Sequence, residues 1–174
     1  MKNIGLIGCG NIAETYFKSQ DYFNNIKFVA CADINQVSAD ECAEQNNILS
    51  MSVDDLLNNE DIDIVLNLTI PKAHYEVSER ALNARKHVYS EKPMAIKLSD
   101  AKKIIELAKK NKLYFGNAPD TLGGGIQRSR QLIDEDSVGK ILTGNFIFAF
   151  SGVQTFHPNP ESWFQEGGGP VIDM

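Results

Sequence analysis

The sequence predicts an α/β protein, a doubly wound parallel sheet followed by an incomplete second α/β domain. Three observations carry that expectation. Short apolar runs alternate with amphipathic ones from Asn3 to Phe115, and such alternation favours parallel strands joined by right-handed helical crossovers. The runs Lys27–Ala32 and Ile62–Leu68 are apolar almost throughout, as strands covered on both faces are. The alternation then breaks at Gly123-Gly124-Gly125, so a boundary is expected near Pro119, with one domain over 1–120 and the start of another over 121–174.

Each element has a local reason. Asn3–Ile7 is a strand, and a helix opens after Gly10. A second strand, Lys27–Ala32, leads to a helix over Val37–Gln45. Ser52 is placed as an N-cap, with Asp54 and Asp55 in the first turn, where the helix dipole favours carboxylates. Ile62–Leu68 is the next strand. Pro71 then starts a helix at no cost in hydrogen bonds, with Tyr75, Ser78, Ala81 and Leu82 as its packing face. Val88–Ser90 is a further strand. Ser99 is expected to cap a helix in which Ala101, Ile104, Ile105 and Ala108 keep helical spacing. Leu113–Phe115 is short, apolar and bounded by Gly116. Beyond the glycines, a helix is expected over Ile126–Ile133, a turn at Gly139-Lys140, and a long strand over Ile141–Phe150 in an antiparallel sheet. One strand and one helix cannot cover both faces of such a sheet. The rest of that domain is therefore expected to be missing here, or the tail to be disordered or to rest on another chain.

Bulk properties narrow the function. Of 174 residues, 43 % are hydrophobic, and the net charge is -6 without any basic cluster. Nucleic acid and anionic membrane both need a local positive field, so neither is an expected partner. The chain passes directly into an apolar run shorter than a signal-peptide core of ~7–15 residues, and no stretch approaches the ~18 apolar residues of a membrane span. Cys9, Cys31 and Cys42 lack CxxC spacing. They read as reduced, small apolar filler in a cytoplasmic protein, and no metal site is expected.

The loop Gly8-Cys9-Gly10-Asn11-Ile12-Ala13 follows a strand and precedes a helix, the context a dinucleotide-binding turn requires. Gly8 permits the tight turn. Gly10 lets the backbone approach a pyrophosphate, which would sit on the helix N-terminus, and Ala13 still allows close helix–strand packing. Asp33 ends the second strand near the expected ~20-residue spacing, where it can accept from ribose hydroxyls. These features predict a Rossmann domain that binds NAD, with NADP disfavoured. A glycine turn without a ligand, and Asp33 as a simple helix cap, are the competing readings.

Glu91-Lys92-Pro93 ends another strand, and ligands of open parallel sheets bind at the carboxyl ends of strands. Pro93 pushes Lys92 toward extended dihedrals and makes a cis bond conceivable. A solvated surface Glu–Lys pair is the alternative. With GCGNIA, the segments NLTIPKAHYEV, ARKHVYSEKPMAI, NAPDTLGGGIQ, VGKI and GGGPVIDM make the chain resemble the glucose–fructose oxidoreductase and inositol dehydrogenase family, known as Gfo/Idh/MocA. The resemblance runs over the whole length. It implies a Rossmann domain for NAD or NADP, a second domain with a large open sheet, and redox chemistry on sugars, cyclitols and related polyols. It implies that Lys92 lies near the nicotinamide and the reacting hydroxyl, with Glu91 and Pro93 shaping its setting. Thr69, Pro71 and His74 match the segment that lines the nicotinamide ribose, although such a His is as readily a packed or capping residue. Asn117, Pro119 and Asp120 match the loop into the second domain. Asp173 matches a catalytic segment whose continuation is absent here. Relatives commonly pair through the open sheet, which implies a homo-oligomer.

One departure is local. Arg85 stands where the family pattern has a glycine, and a left-handed Arg costs roughly 1–2 kcal/mol. The resulting expectation is an oxidoreductase moving a hydride between nicotinamide and a sugar or polyol, with the chain as it stands a candidate inactive piece of it. The alternative is a dinucleotide-binding regulatory or scaffold protein without turnover.

Overall fold

The computed structural model describes residues 1–118, 124–145, 147, 149, 151–155 and 160–163. Six parallel strands form one sheet: β1 (Lys2–Ile7), β2 (Ile26–Ala32), β3 (Leu49–Ser50), β4 (Ile64–Asn67), β5 (His87–Ser90) and β6 (Phe115–Asn117). Their order is β3-β2-β1-β4-β5-β6, so the chain reverses direction across the sheet between β1 and β4. This is the doubly wound Rossmann arrangement. The short edge strand β3 was not anticipated; two residues carry no readable periodicity.

Helices α1 (Ala13–Ser19) and α2 (Gln36–Asn46) cover one face, where Ala13, Cys42 and Ala43 pack on Ile4, Leu6, Phe28, Cys31 and Leu66. Helices α3 (Val53–Asn58), α4 (Pro71–Asn83) and α5 (Leu98–Asn111) cover the other, closing over Ile7, Ala30, Ala32, Val65 and Val88. Residues of one strand alternate between the two cores, as the pleat requires.

Ser52 caps α3 as expected, accepting from the Asp55 N–H at 3.1 Å. Ser99 does not cap α5. The helix begins at Leu98, Lys97 occupies the cap position, and no side chain caps it. Ser99 therefore lies inside the first turn, where the helix has already begun. The buried face of α4 is His74, Val77, Ser78, Ala81 and Leu82. Tyr75 is only partly covered and turns its hydroxyl to Glu79 at 2.5 Å. Further along the chain lie α6 (Gly124–Asp134) and the short α7 (Pro160–Trp163). The strand expected over 141–150 is not formed at the described residues 141–145, 147 and 149. An isolated strand has no ladder partner to satisfy its backbone, and none is offered here by the described residues.

Arg85 takes the strained conformation that its position demands, with φ of 64°. Its N–H donates to the Leu82 carbonyl at 3.2 Å, and the Lys86 N–H donates to Ala81 at 3.0 Å. This pair of bonds is the Schellman closure of a helix. Lys86 then buries its stem and donates from Nζ to the Asn59 carbonyl at 2.6 Å. The closure is thus pinned from both sides, and Arg85 bears the conformational cost. Arg85→Gly is expected to stabilise the fold by about 1 kcal/mol, read as a higher urea midpoint with an unchanged slope.

Candidate functional site

Register lines up the carboxyl ends of five strands. Ala32 pairs with Ile7, Ile7 with Asn67, Asn67 with Ser90, and Ser90 with Asn117. The residues that follow this row, Gly8, Asp33, Leu68 to Pro71, Glu91 to Pro93 and Ala118, therefore emerge at one level along one edge. That edge is where an open α/β sheet binds its ligand, at the point where strand order reverses.

At the centre, Gly8 has φ of +102°, and a Cβ there would lie 2.6 Å from the Leu68 backbone. No other residue fits, because the loop passes directly against the end of β4. Gly10 is different: a Cβ built on it meets nothing within 4 Å. The space above it is open, and Asn11 and Ile12 are exposed beside it. Ala13 is buried where α1 meets the sheet. This is a cradle with room for a pyrophosphate, so the residues fit a dinucleotide.

Asp33 reaches across to this loop. Its Oδ2 accepts from the Cys9 N–H and its Oδ1 from the Asn35 N–H, each at 2.8 Å. A carboxylate oxygen has two acceptor sites, so both oxygens keep one for a ligand hydroxyl. Asp33 is more than a helix cap; Asn35 does that work, accepting from Val37 at 3.1 Å. Cys9, although beside the cradle, is a poor nucleophile. A hydrogen bond shared with Cys31 and burial both push its thiol up, and burial pushes Cys42 up to about 11.

On the other side of the reversal, Asn67 is fully buried and bonded at every position. Its Nδ2 donates to the His74 carbonyl and to Ser78 Oγ, both at 3.0 Å. Its Oδ1 accepts from Thr69 N at 3.2 Å and from Thr69 Oγ1 at 2.7 Å. His74 is 1 % exposed. Nε2 lies 2.8 Å from the Thr69 carbonyl and Nδ1 2.6 Å from the Pro93 carbonyl. His74 therefore presents no polar ring atom to a ligand. It packs between the Thr69–Pro71 turn and the Glu91–Pro93 turn from behind, its ring N–H donating to one of the two carbonyls.

The Glu91–Pro93 turn is held from three more directions. Glu91 Oε1 accepts from the Tyr16 hydroxyl at 2.6 Å, and Oε2 accepts from the Lys92 N–H at 2.9 Å. The Asn117 amide donates to the Ser90 and Glu91 carbonyls at 2.9 and 3.0 Å. The Lys92–Pro93 bond is cis. Lys92 is half-buried, and its backbone is fixed by its neighbours. Pro119, Asp120 and Asp173 lie outside the described residues.

Two of these positioning residues were missed in the sequence. Asn67 left a signal, a polar side chain ending an otherwise apolar buried strand. Tyr16 left none, since nothing in the spacing says that α1 meets β5. Asn67→Leu keeps the volume but leaves the Thr69 donors unpaired. We expect it to cost on the order of 2–3 kcal/mol of stability in urea unfolding.

A family model described as an oxidoreductase family with an NAD-binding Rossmann fold matches residues 2–118. The chain is 30 % identical over 147 residues to inositol 2-dehydrogenase of Salmonella paratyphi B, covering 79 % of this chain and 43 % of the enzyme. It is 29 % identical over 149 residues to D-xylose dehydrogenase of Paenarthrobacter nicotinovorans, covering 80 % and 38 %. Among solved structures, the WlbA dehydrogenase of Chromobacterium violaceum, in complex with NADH and UDP-GlcNAcA, superposes with a TM-score of 0.75 at 25 % identity, over 80 % of this chain and 41 % of that one. A 3-ketoreductase from Actinomadura kijaniata, in complex with NADP and TDP-benzene, superposes at 0.70 and 25 %, over 77 % and 42 %. The chain spans less than half the length of these relatives.

Proposed function

The chain belongs to the oxidoreductase family with the NAD-binding Rossmann fold, and from that premise we propose that it binds NAD and takes part in hydride transfer to or from a sugar, cyclitol or related polyol. One observation carries the reading: the Gly8–Ala13 cradle, Asp33 and the Glu91-Lys92-Pro93 turn emerge at one level where the strand order reverses. Bound there, the nicotinamide would supply or accept the hydride.

The residues divide the remaining work. Gly8 and Gly10 admit the pyrophosphate to the backbone, and Asp33 receives the adenosine ribose. Thr69 and Pro71, braced by His74 and Asn67, border the nicotinamide end. Lys92 faces the reacting hydroxyl. Oxidation of a secondary alcohol requires loss of the hydroxyl proton, so Lys92 accepts that proton or holds the alkoxide. Asp173 is its proposed partner in the substrate domain. The relatives' names support the substrate class, because two of them are polyol or sugar dehydrogenases. Free thiols at Cys9, Cys31 and Cys42 support a cytoplasmic setting. No helix of the described residues is long and apolar enough to cross a membrane. The exposed Ile141, Leu142 and Ile147 support self-association.

NAD is favoured because Asp33 would face a 2′-phosphate with like charge. At ~4 Å and an effective dielectric near 20 that repulsion is on the order of 4 kcal/mol, which screening reduces to about 1–3 kcal/mol. Calorimetry is expected to show NAD binding about ten- to a hundredfold tighter than NADP; equal dissociation constants would refute the preference.

Activity is tested by reduced-nicotinamide absorbance with a panel of cyclitols and aldoses. In protein that turns over, Lys92→Ala should lower kcat by roughly 10²–10⁴-fold while NAD affinity changes far less. Lys92→Arg should not rescue it, since a guanidinium does not give up its proton. Binding of NAD with no turnover on any polyol would instead mark a dinucleotide-binding protein without catalysis.

A further inference from the structure

The fold brings together three residues that the sequence keeps apart. Cys9 stands in the glycine loop, Cys31 in β2 and Cys42 in α2. Their sulfur atoms all lie within 4.8 Å of one another, with Cys31 and Cys42 buried and Cys9 half-buried. We propose that Cys9, Cys31 and Cys42 form a three-thiolate site for a soft monovalent metal ion, Cu(I).

The donor set argues for this ion. Among the described residues the group consists of three sulfurs, without imidazole or carboxylate. Thiolates select soft ions such as Cu(I) and Zn(II), whereas Mg(II) and Ca(II) need oxygen. A structural zinc site almost always has four ligands, and this cluster has three among the described residues. Three-coordinate Cu(I) needs no fourth. With metal–sulfur bonds of about 2.3 Å, as thiolates make to zinc, a trigonal site places its sulfurs about 4 Å apart. The observed spacing needs only small side-chain adjustments to reach that. A disulfide is a different demand. It needs about 2.05 Å between two sulfurs and leaves the third out.

The surroundings also suit an ion. The Cys31 thiol donates to the Ala39 carbonyl at 3.3 Å, and the Cys9 thiol donates to Ala32 at 3.6 Å. Each of these thiols has a backbone acceptor within reach, and the hydrogen bond that Cys9 and Cys31 share is the contact an ion would replace. A cavity of about 690 Å³ between α1 and α2 is lined by Cys9 and Cys42 together with Glu14 and Glu41. It gives a path from solvent to two of the three sulfurs; Lys18 also lines it and pairs with Glu14 at 2.5 Å, which leaves Glu41 as the remaining acidic residue of the lining. On binding, each thiol releases its proton to solvent as its sulfur–copper bond forms. Copper stays monovalent and no electron is transferred. The bound ion would tie the Gly8–Gly10 loop to β2 and α2.

The test is an anaerobic titration of the full chain with Cu(I) held by a chromophoric chelator. The expected result is transfer of one ion per chain, a rise in Tm, and loss of reactivity of the cysteines toward a thiol reagent. Cys9→Ser and Cys42→Ser, each shown by circular dichroism to be folded, should each weaken Cu(I) binding by more than about tenfold. Cys9 carries the decisive variant, because it is the most exposed of the three and the least needed for the core. The proposal is overturned if the chelator keeps its copper in the presence of the parent chain. It is equally overturned if both folded variants take copper as tightly as the parent, or if Zn(II) at equal concentration displaces the copper.

Discussion

The amide of Asn67 is the interaction on which the site depends. It lies at the end of β4, just past the point where strand order reverses, with no exposure to solvent. A buried amide must find partners for both of its ends, and here the partners are the two segments that leave the strand. One end holds the Thr69 turn, and the other holds the first turns of α4. This bonding brings His74 to the place where its ring can reach both the Thr69 and Pro93 carbonyls. Two turns from different strands are thereby joined into one wall. The register row does the rest, because it puts that wall level with the Gly8 loop.

Most of the fold was legible because its elements obey local rules. β1, β2, β4 and β5 announce themselves as apolar runs, and α4 through Pro71 at its first turn. What escaped is where tertiary context overrides local preference. Ser99 looks like a cap, yet α5 starts one residue earlier at Leu98, with a cap residue that offers no side-chain bond. Tyr75 fits the helical stripe and packs partly buried against the core, but the stripe extends to His74 and Val77, which take the interior beside it. Arg85 keeps the glycine-type conformation despite its side chain, since Lys86 and Asn59 hold the next residue in place. The run from Ile141 shows the limit of pattern reading, because β-propensity describes a willing strand and cannot supply its neighbour.

The candidate site was legible in its outline and not in its bracing. Gly8, Gly10, Asp33 and the Glu91–Pro93 turn could be marked from spacing and from strand ends. Their supports could not, because they come from other elements: Tyr16 from α1 to Glu91, Asn117 from β6 to the Ser90 and Glu91 carbonyls, and Ser78 from α4 to Asn67. His74 shows the same limit. Its place near the site could be read, but its role behind two turns could be seen only once both ring partners were in view. The cysteines are the plainest case. Their separation along the chain resembles no ligand spacing, and only the packing of α2 against β2 and the glycine loop makes them neighbours.

The bond from the Cys9 N–H to Asp33 has a bearing on how this scaffold could evolve toward another cofactor. Asp33 anchors the loop through Cys9 and shapes the start of α2 through Asn35, so its carboxylate is part of the architecture as well as of the proposed recognition. Exchanging it for a residue without an oxygen acceptor would leave two backbone donors unanswered, and the glycine turn would lose its lateral brace. A lineage shifting its preference toward a phosphorylated ribose would therefore pass through Asn or Ser, which keep an acceptor while shedding the charge. The basic partner for the phosphate would have to arise nearby, at Ile34 or Asn35, both of which are exposed. Specificity and loop rigidity are inherited together at this position.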